Sequence, residues 1–379
     1  MRTSRYRVAA LILTAVFLAA GLSALLGGSH AEREAVEGRP GARRPRVTER
    51  WRVALDVEMV GLPAADQAGV VVTAGESQVV AISPTGEVEW TTAVDGVLAN
   101  PARLDDDLVF VAAERAVVAL RRVDGAVLWA VSTGSDAPNR ANRPVVAGDV
   151  VVVTAADGLV LGLDRGTGAP RWRTRLPTAT TAEPSAGRTA TVAPVVVVVG
   201  IGSWYGLDPA TGAKLWSSDL GLYGTSSPVI YASGTQALAA VASGERILAV
   251  DAVTGAQKWN APAEQSELYQ VPVIAANGTE LLVPDHWGRL TSYDPHDGRK
   301  FWSAAGADTL AEFGEPVLVS DRLVALPLDA AGPRLGSPTG SVRMVPPADG
   351  HGVADLPNRG LVVTTWGPST NFVVLYEVR

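Results

Sequence analysis

Two patterns of hydrophobic positions divide the chain. Residues 8–28 (VAALILTAVFLAAGLSALLGG) hold no charge and only two hydroxyl side chains. These 21 residues, at 1.5 Å rise each, give roughly 31 Å of helix, enough to cross a bilayer's hydrocarbon core. Past residue 50 no helical period of domain length occurs. Short valine-rich runs alternate there with Gly- and Asp-containing turns. Residues 149–176 show the unit most clearly: DVVVVTAA and LVLGLD flank a DG turn, then RGTG turns the chain into APRWRTRLP. An upstream PVVAG supplies a fourth run. β-Branched runs of four to eight residues between such turns predict small antiparallel sheets.

A marker fixes the phase of the repeat. Gly-x-x-x-Trp occurs at Gly86/Trp90, Gly125/Trp129, Gly168/Trp172, Gly212/Trp216, Gly255/Trp259 and Gly298/Trp302, with Trp spacings of 39, 43, 44, 43 and 43. A period near 43 residues with about four strands fits propeller blades. Gly340 and Met344 stand 42 residues further on, in SPTGSVRM, which echoes SPTGEVEW at 83–90. Trp51 opens WRVALD much as Trp172 opens WRTRLP. The C-terminal runs GLVVTTW and NFVVLYEV supply two inner strands of a blade, and Trp51–Asp56 is the expected outer strand that clasps it. The expected fold is therefore all-β, an eight-bladed propeller of four-stranded antiparallel blades, with seven blades as the alternative. Gly suits a tight turn with positive φ, and Trp offers a large apolar face plus one N–H donor for the seam between blades.

Before the propeller, Arg2, Arg5 and Arg7 favour an N-in orientation, weakened by Arg33, Arg39, Arg43 and Arg44 beyond the apolar run. Ser29 and Ala31 also suit a signal-peptidase site, so a retained anchor and a cleaved signal both stay open. The expected domains are an anchor or signal at 1–31, a charged linker at 32–50 and the propeller at 51–379. The expected location is the cell membrane, single-pass with the propeller outside the cytoplasm, or secreted after cleavage.

Composition narrows the chemistry. The chain has 10 Trp against 7 Tyr and 5 Phe, so its aromatic excess is the repeat marker itself. A formal charge of −7 gives no basic field for a phosphate backbone, and no nucleic-acid partner is expected. Cysteine is absent, which removes disulfides, thiolate metal sites, a cysteine nucleophile and lipid attachment through sulfur. Of the histidines, His30, His286, His296 and His351, none forms a metal-ligand spacing. Asp105, Asp106 and Asp107 read as a solvated turn without a calcium-loop pattern. Asp208, Asp251 and Asp294 share one repeat position, which suits a carboxylate bonding turn N–H groups better than a catalytic acid. Trp204 and Trp287 fall outside the phase near inter-strand turns and are expected either as packing residues or as exposed, partner-contacting aromatics.

The strings LDRGTGAPRW (163–172), LDPATGAKLW (207–216), VDAVTGAQKW (250–259) and YDPHDGRKFW (293–302) resemble the repeats of the pyrroloquinoline-quinone-like β-propeller family. ISPTGEVEW and RRVDGAVLW are looser matches. The resemblance covers about residues 51–379 and implies the fold rather than one activity. Quinone-dependent dehydrogenases of that family commonly cap the quinone with a disulfide of adjacent cysteines, which this chain cannot make. Its non-catalytic scaffold class, the propeller lipoprotein of the outer-membrane β-barrel assembly machinery, shares the length and blade count but carries a lipidated cysteine. The expected function is a non-catalytic extracytoplasmic scaffold or binding module for a protein or envelope ligand, without a cofactor. A ligand-sensing propeller and a quinone-dependent dehydrogenase are the alternatives.

Overall fold

The computed structural model describes residues 47–378 apart from 58–60, 76, 97–100, 114, 135–142, 156, 181–184, 188–194, 220–225, 244–245, 263–270, 276–277, 286–288, 305–316, 321–322, 327–333, 338–339, 344–349, 357–359 and 366–370. The apolar segment 8–28, His30, His286, Trp287 and Met344 lie outside the described residues. Among the described residues no helix is long and apolar enough to cross a membrane.

Among the described residues, eight four-stranded antiparallel sheets follow one another. Sheet I runs Ala64–Asp66, Gly69–Ala74, Gln78–Ile82 and Val88–Ala93. Sheet II runs Arg103–Asp105, Leu108–Ala113, Ala116–Arg121 and Val127–Ser132. Sheet III runs Val145–Ala147, Val150–Thr154, Leu159–Asp164 and Pro170–Arg175. Sheet IV runs Ser185–Gly187, Val195–Gly200, Ser203–Leu207 and Lys214–Asp219. Sheet V runs Val229–Ser233, Gln236–Ser243, Arg246–Asp251 and Gln257–Pro262. Sheet VI runs Val273–Ile274, Leu281–Pro284, Leu290–Tyr293 and Lys300–Ala304. Sheet VII runs Val317–Ser320, Leu323–Leu326, Arg334–Ser337 and Gly340–Arg343. Sheet VIII takes Gly350–Leu356, Gly360–Thr365 and Asn371–Val378 from the end of the chain, and Val47–Leu55 from its beginning.

The first strands of neighbouring sheets touch at I–II, III–IV, IV–V, V–VI, VI–VII, VII–VIII and VIII–I, so they form the inner layer. Sheets II and III meet through a shared apolar cluster that includes Phe110 and Val151. This radial succession of small sheets is a β-propeller. In such up-and-down sheets the 1–2 and 3–4 turns share one end, and the 2–3 turns and sheet-to-sheet links share the other.

The valine runs follow from burial on both faces. In sheet I, Val70 and Val72 pack toward sheet VIII while Val71 packs toward sheet II. In sheet IV, Val195, Val197 and Val199 face sheet V, whereas Val196 and Val198 face sheet III. A strand with two buried faces has no polar alternate position, so apolar/polar alternation disappears. Each such side chain contributes about 1.5–3 kcal/mol by leaving water.

Two boundaries differ from the sequence reading. The clasping strand starts at Val47, four residues before Trp51, so the end of the expected linker is in the sheet. A register shift between Glu49 and Trp51 lets the ladder continue to Val47↔Val378, and the Arg50–Glu377 ion pair closes that end. Gly340 opens the outer strand of sheet VII opposite Ser337, whereas the other marker glycines precede their strands.

Candidate functional site

The outer strands of sheets I to VI share one construction. The marker Gly has φ of +90, +68, +72, +69, +71 and +74° in turn, and the strand begins two residues later. Trp is always its third residue. Opposite each Trp on the third strand stands a small residue: Ala81, Ala119, Gly162, Gly206, Ala249 and Ser292. A Cβ on Gly162 would lie 2.1 Å from Trp172 Cε2, and one on Gly206 would lie 2.0 Å from Trp216 Nε1. A register shift follows every one of these pairs, so the residue before each Trp is bulged out. The bulge re-aims the indole along the strand.

The indoles then cross the seams. Trp51 Nε1 donates to Pro84 O at 3.1 Å, Trp90 to Arg122 O at 3.0 Å, and Trp129 to Arg165 O at 3.2 Å. Trp172 donates to Pro209 O at 2.8 Å, Trp216 to Ala252 O at 2.8 Å, and Trp259 to Pro295 O at 3.0 Å. Each acceptor lies in the 3–4 turn of the following sheet. Trp51 serves sheet I as the other indoles serve their followers. Trp302 departs from the series and donates to Glu280 Oε2 at 2.9 Å within its own sheet.

The marker's glycine belongs to a different seam from its tryptophan. A Cβ on Gly86 would meet Trp51, on Gly125 Trp90, on Gly168 Trp129, on Gly212 Trp172, on Gly255 Trp216 and on Gly298 Trp259, at 2.3–2.8 Å. Thus each Gly seats the indole of the preceding sheet, and the four-residue motif joins two successive seams. Sequence reasoning assigned the glycine to its turn and missed this contact. The recurring offset of 35–40 residues between one Trp and the next Gly was the available signal.

Asp164, Asp208 and Asp251 accept turn N–H bonds through Oδ1, and Asp294 accepts the His296 N–H. Hydrogen bonds from Arg171 and Thr167 hold the Asp164 carboxyl down at about 2. Burial works against ionisation of Asp251, but the bonds from Thr254 and Val253 outweigh it and leave its carboxyl below the usual range.

Arginines reach across two seams at the same end of the sheets. Arg122, whose backbone carbonyl accepts Trp90, sends its guanidinium back to both carboxylate oxygens of Asp66 at 3.1 and 3.3 Å. Arg165, whose carbonyl accepts Trp129, sends its guanidinium to Asp105 and Asp107. Asp105–Asp107 is therefore an ion-pairing turn rather than a merely solvated one. Its central residue, Asp106, takes φ 50°. Asp105, Asp106, Val146, Gly148, Asp149 and Arg165 line an open recess of about 410 Å³ between sheets II and III. Arg171 bridges Asp149 and Asp164 beside it and lowers the Asp149 carboxyl as well. Among the described residues no group of three or more His, Cys, Asp or Glu side chains is arranged to hold a metal ion.

Trp204 does not present a partner surface. It is 1% exposed and packs edge-on against Trp216, with ring centroids 5.8 Å apart. Trp204 and Gly206 are two residues apart on one strand, so both face the seam that Trp216 fills. That period-2 relation was the missed sequence signal.

The sequence profile of the outer membrane protein assembly factor BamB matches residues 44–206 and 201–354. The chain belongs to the BamB family. The crystal structure of BamB from Moraxella catarrhalis superposes with a TM-score of 0.66 at 19% identity, over 87% of this chain and 98% of that one. The computationally designed Ika8 protein superposes with a TM-score of 0.67 at 15% identity, over 86% and 98%. Both likenesses speak to the fold. No curated protein matches the chain. For this BamB-family propeller, the repeated Gly and Trp positions hold neighbouring sheets together, and the repeated Asp positions fix the turns between strands.

Proposed function

We propose that the chain is a non-catalytic extracytoplasmic scaffold, a closed ring of eight blades held at the membrane through residues 8–28, that recruits a protein partner. The observation that carries this reading is the family match over residues 44–354 to an outer membrane protein assembly factor. By that likeness the partner is a component or client of outer-membrane protein assembly. The polar groups support the reading, because indoles and arginines bind neighbouring sheets to one another while the repeated aspartates fix the turns that receive the indoles. A rigid ring of this kind positions surface loops, and loops carry binding on rigid scaffolds. The end with the 1–2 and 3–4 turns is the proposed docking end, since Asp107 and Val123 stand exposed there at adjoining turns.

Site-specific photocrosslinkers at Asp107 and Val123, compared with Arg115 and Arg246 in the 2–3 turns at the other end, test this in cells. The expected outcome is a discrete adduct with an assembly component or client from the first pair only. If neither end yields a protein adduct while an envelope metabolite raises the melting temperature, the scaffold reading gives way to a ligand sensor. The recess between sheets II and III is the feature that favours that second reading.

A further inference from the structure

The seam after sheet VI is built differently from its predecessors. By register, Glu280 occupies the position held by Leu108, Val150, Val195 and Leu238 in sheets II to V. Those aliphatics are buried in clusters shared with the following sheet. Glu280 is 4% exposed and accepts the Ser292 hydroxyl at 2.6 Å and the Trp302 indole at 2.9 Å. Ser292 in turn fills the small-residue slot that is Ala or Gly in the earlier sheets. An indole has one N–H to donate. With that donor held by Glu280, Trp302 cannot anchor the backbone of sheet VII. The next marker position is Met344, which has no N–H at all.

We infer that Glu280 and Ser292 draw the Trp302 indole into its own sheet, and thereby make sheet VII the place where the ring opens. Among the described residues, sheet VII is then flanked by two seams without the indole-to-carbonyl bond that ties six other neighbours. Loss of one net hydrogen bond raises a local opening population by roughly five- to tenfold. Two such seams make sheet VII the first unit to separate, while the rest of the ring stays closed.

Native-state hydrogen exchange on the full chain tests this. After correction for intrinsic rates, amides of Leu323–Leu326 are expected to exchange at least about tenfold faster than those of Val150–Thr154, the matching strand of sheet III. Glu280→Leu restores the aliphatic and frees the indole, so exchange in sheet VII should slow by about fivefold while sheets I to V stay unchanged. Glu280→Gln keeps an acceptor for both donors and should remain within about twofold of the wild type. The wild-type comparison and the Gln variant decide the matter even where the Leu substitution disturbs folding. Equal protection in sheets III and VII, or a folded Glu280→Leu variant with unchanged exchange, overturns the inference.

Discussion

At the residue scale the glycines separate two physical effects that usually act together. Gly212 and Gly202 have nearly the same φ, +69 and +70°. A Cβ on Gly212 would lie 2.3 Å from Trp172 Cε3, whereas one on Gly202 would meet nothing within 4 Å. Gly202→Ala should therefore cost only the left-handed backbone penalty, about 1–2 kcal/mol. Gly212→Ala adds overpacking against a ring pinned to Pro209 and should cost about 2–5 kcal/mol in total. Urea unfolding of the two variants measures the difference, and equal losses would refute the shared seam. The Trp positions and the turn role of the repeated Asp were legible because they recur. The Arg122–Asp66 and Arg165–Asp105 pairs were not, since each joins the last residue of a first strand to an Arg in a 3–4 turn, 56 and 60 residues away. Only the packing of neighbouring sheets brings those residues together.

At the element scale the strand runs were legible from valine and turn residues, but the bulge before each Trp was not. An extra residue leaves no compositional trace; it shows only when three strands are aligned. The strand Val47–Leu55 has a titratable reporter beneath it. Tyr376 pairs with Glu49, and burial first, then the Glu49 charge, pushes its phenol up to about 12. A phenol raised in the folded state favours folding below its unfolded pKa of about 10. That contribution is lost as the pH climbs from about 10 through 12. Ultraviolet titration of the wild type minus Tyr376→Phe should place this phenol near 12, and deletion of residues 47–56 should return it toward 10. An unchanged titration after deletion would mean that the strand does not cover Tyr376.

At the scale of the whole molecule, the period near 43 residues made the class of architecture readable before any contact was known. Its two weak points were sheet VII, where the marker is worn, and the return of the first strand to the last sheet. The structure pairs that strand with Asn371–Val378 and carries the Trp51 indole onto Pro84 of sheet I. That pairing joins residues more than 300 positions apart, and the proposed closed ring depends on it to hold its loops in place. The absence of cysteine gives a clean measurement of this closure. Thr48 and Glu377 are cross-strand neighbours, so Thr48→Cys with Glu377→Cys should oxidise to an intramolecular disulfide in the folded chain. Closing so long a loop should stabilise by several kcal/mol, about 6 in the chain-entropy account. Mass spectrometry and melting of the oxidised double variant make the test. A single internal crosslink with a raised melting temperature is the predicted result, and two thiols that stay free in the folded protein would contradict the closed ring.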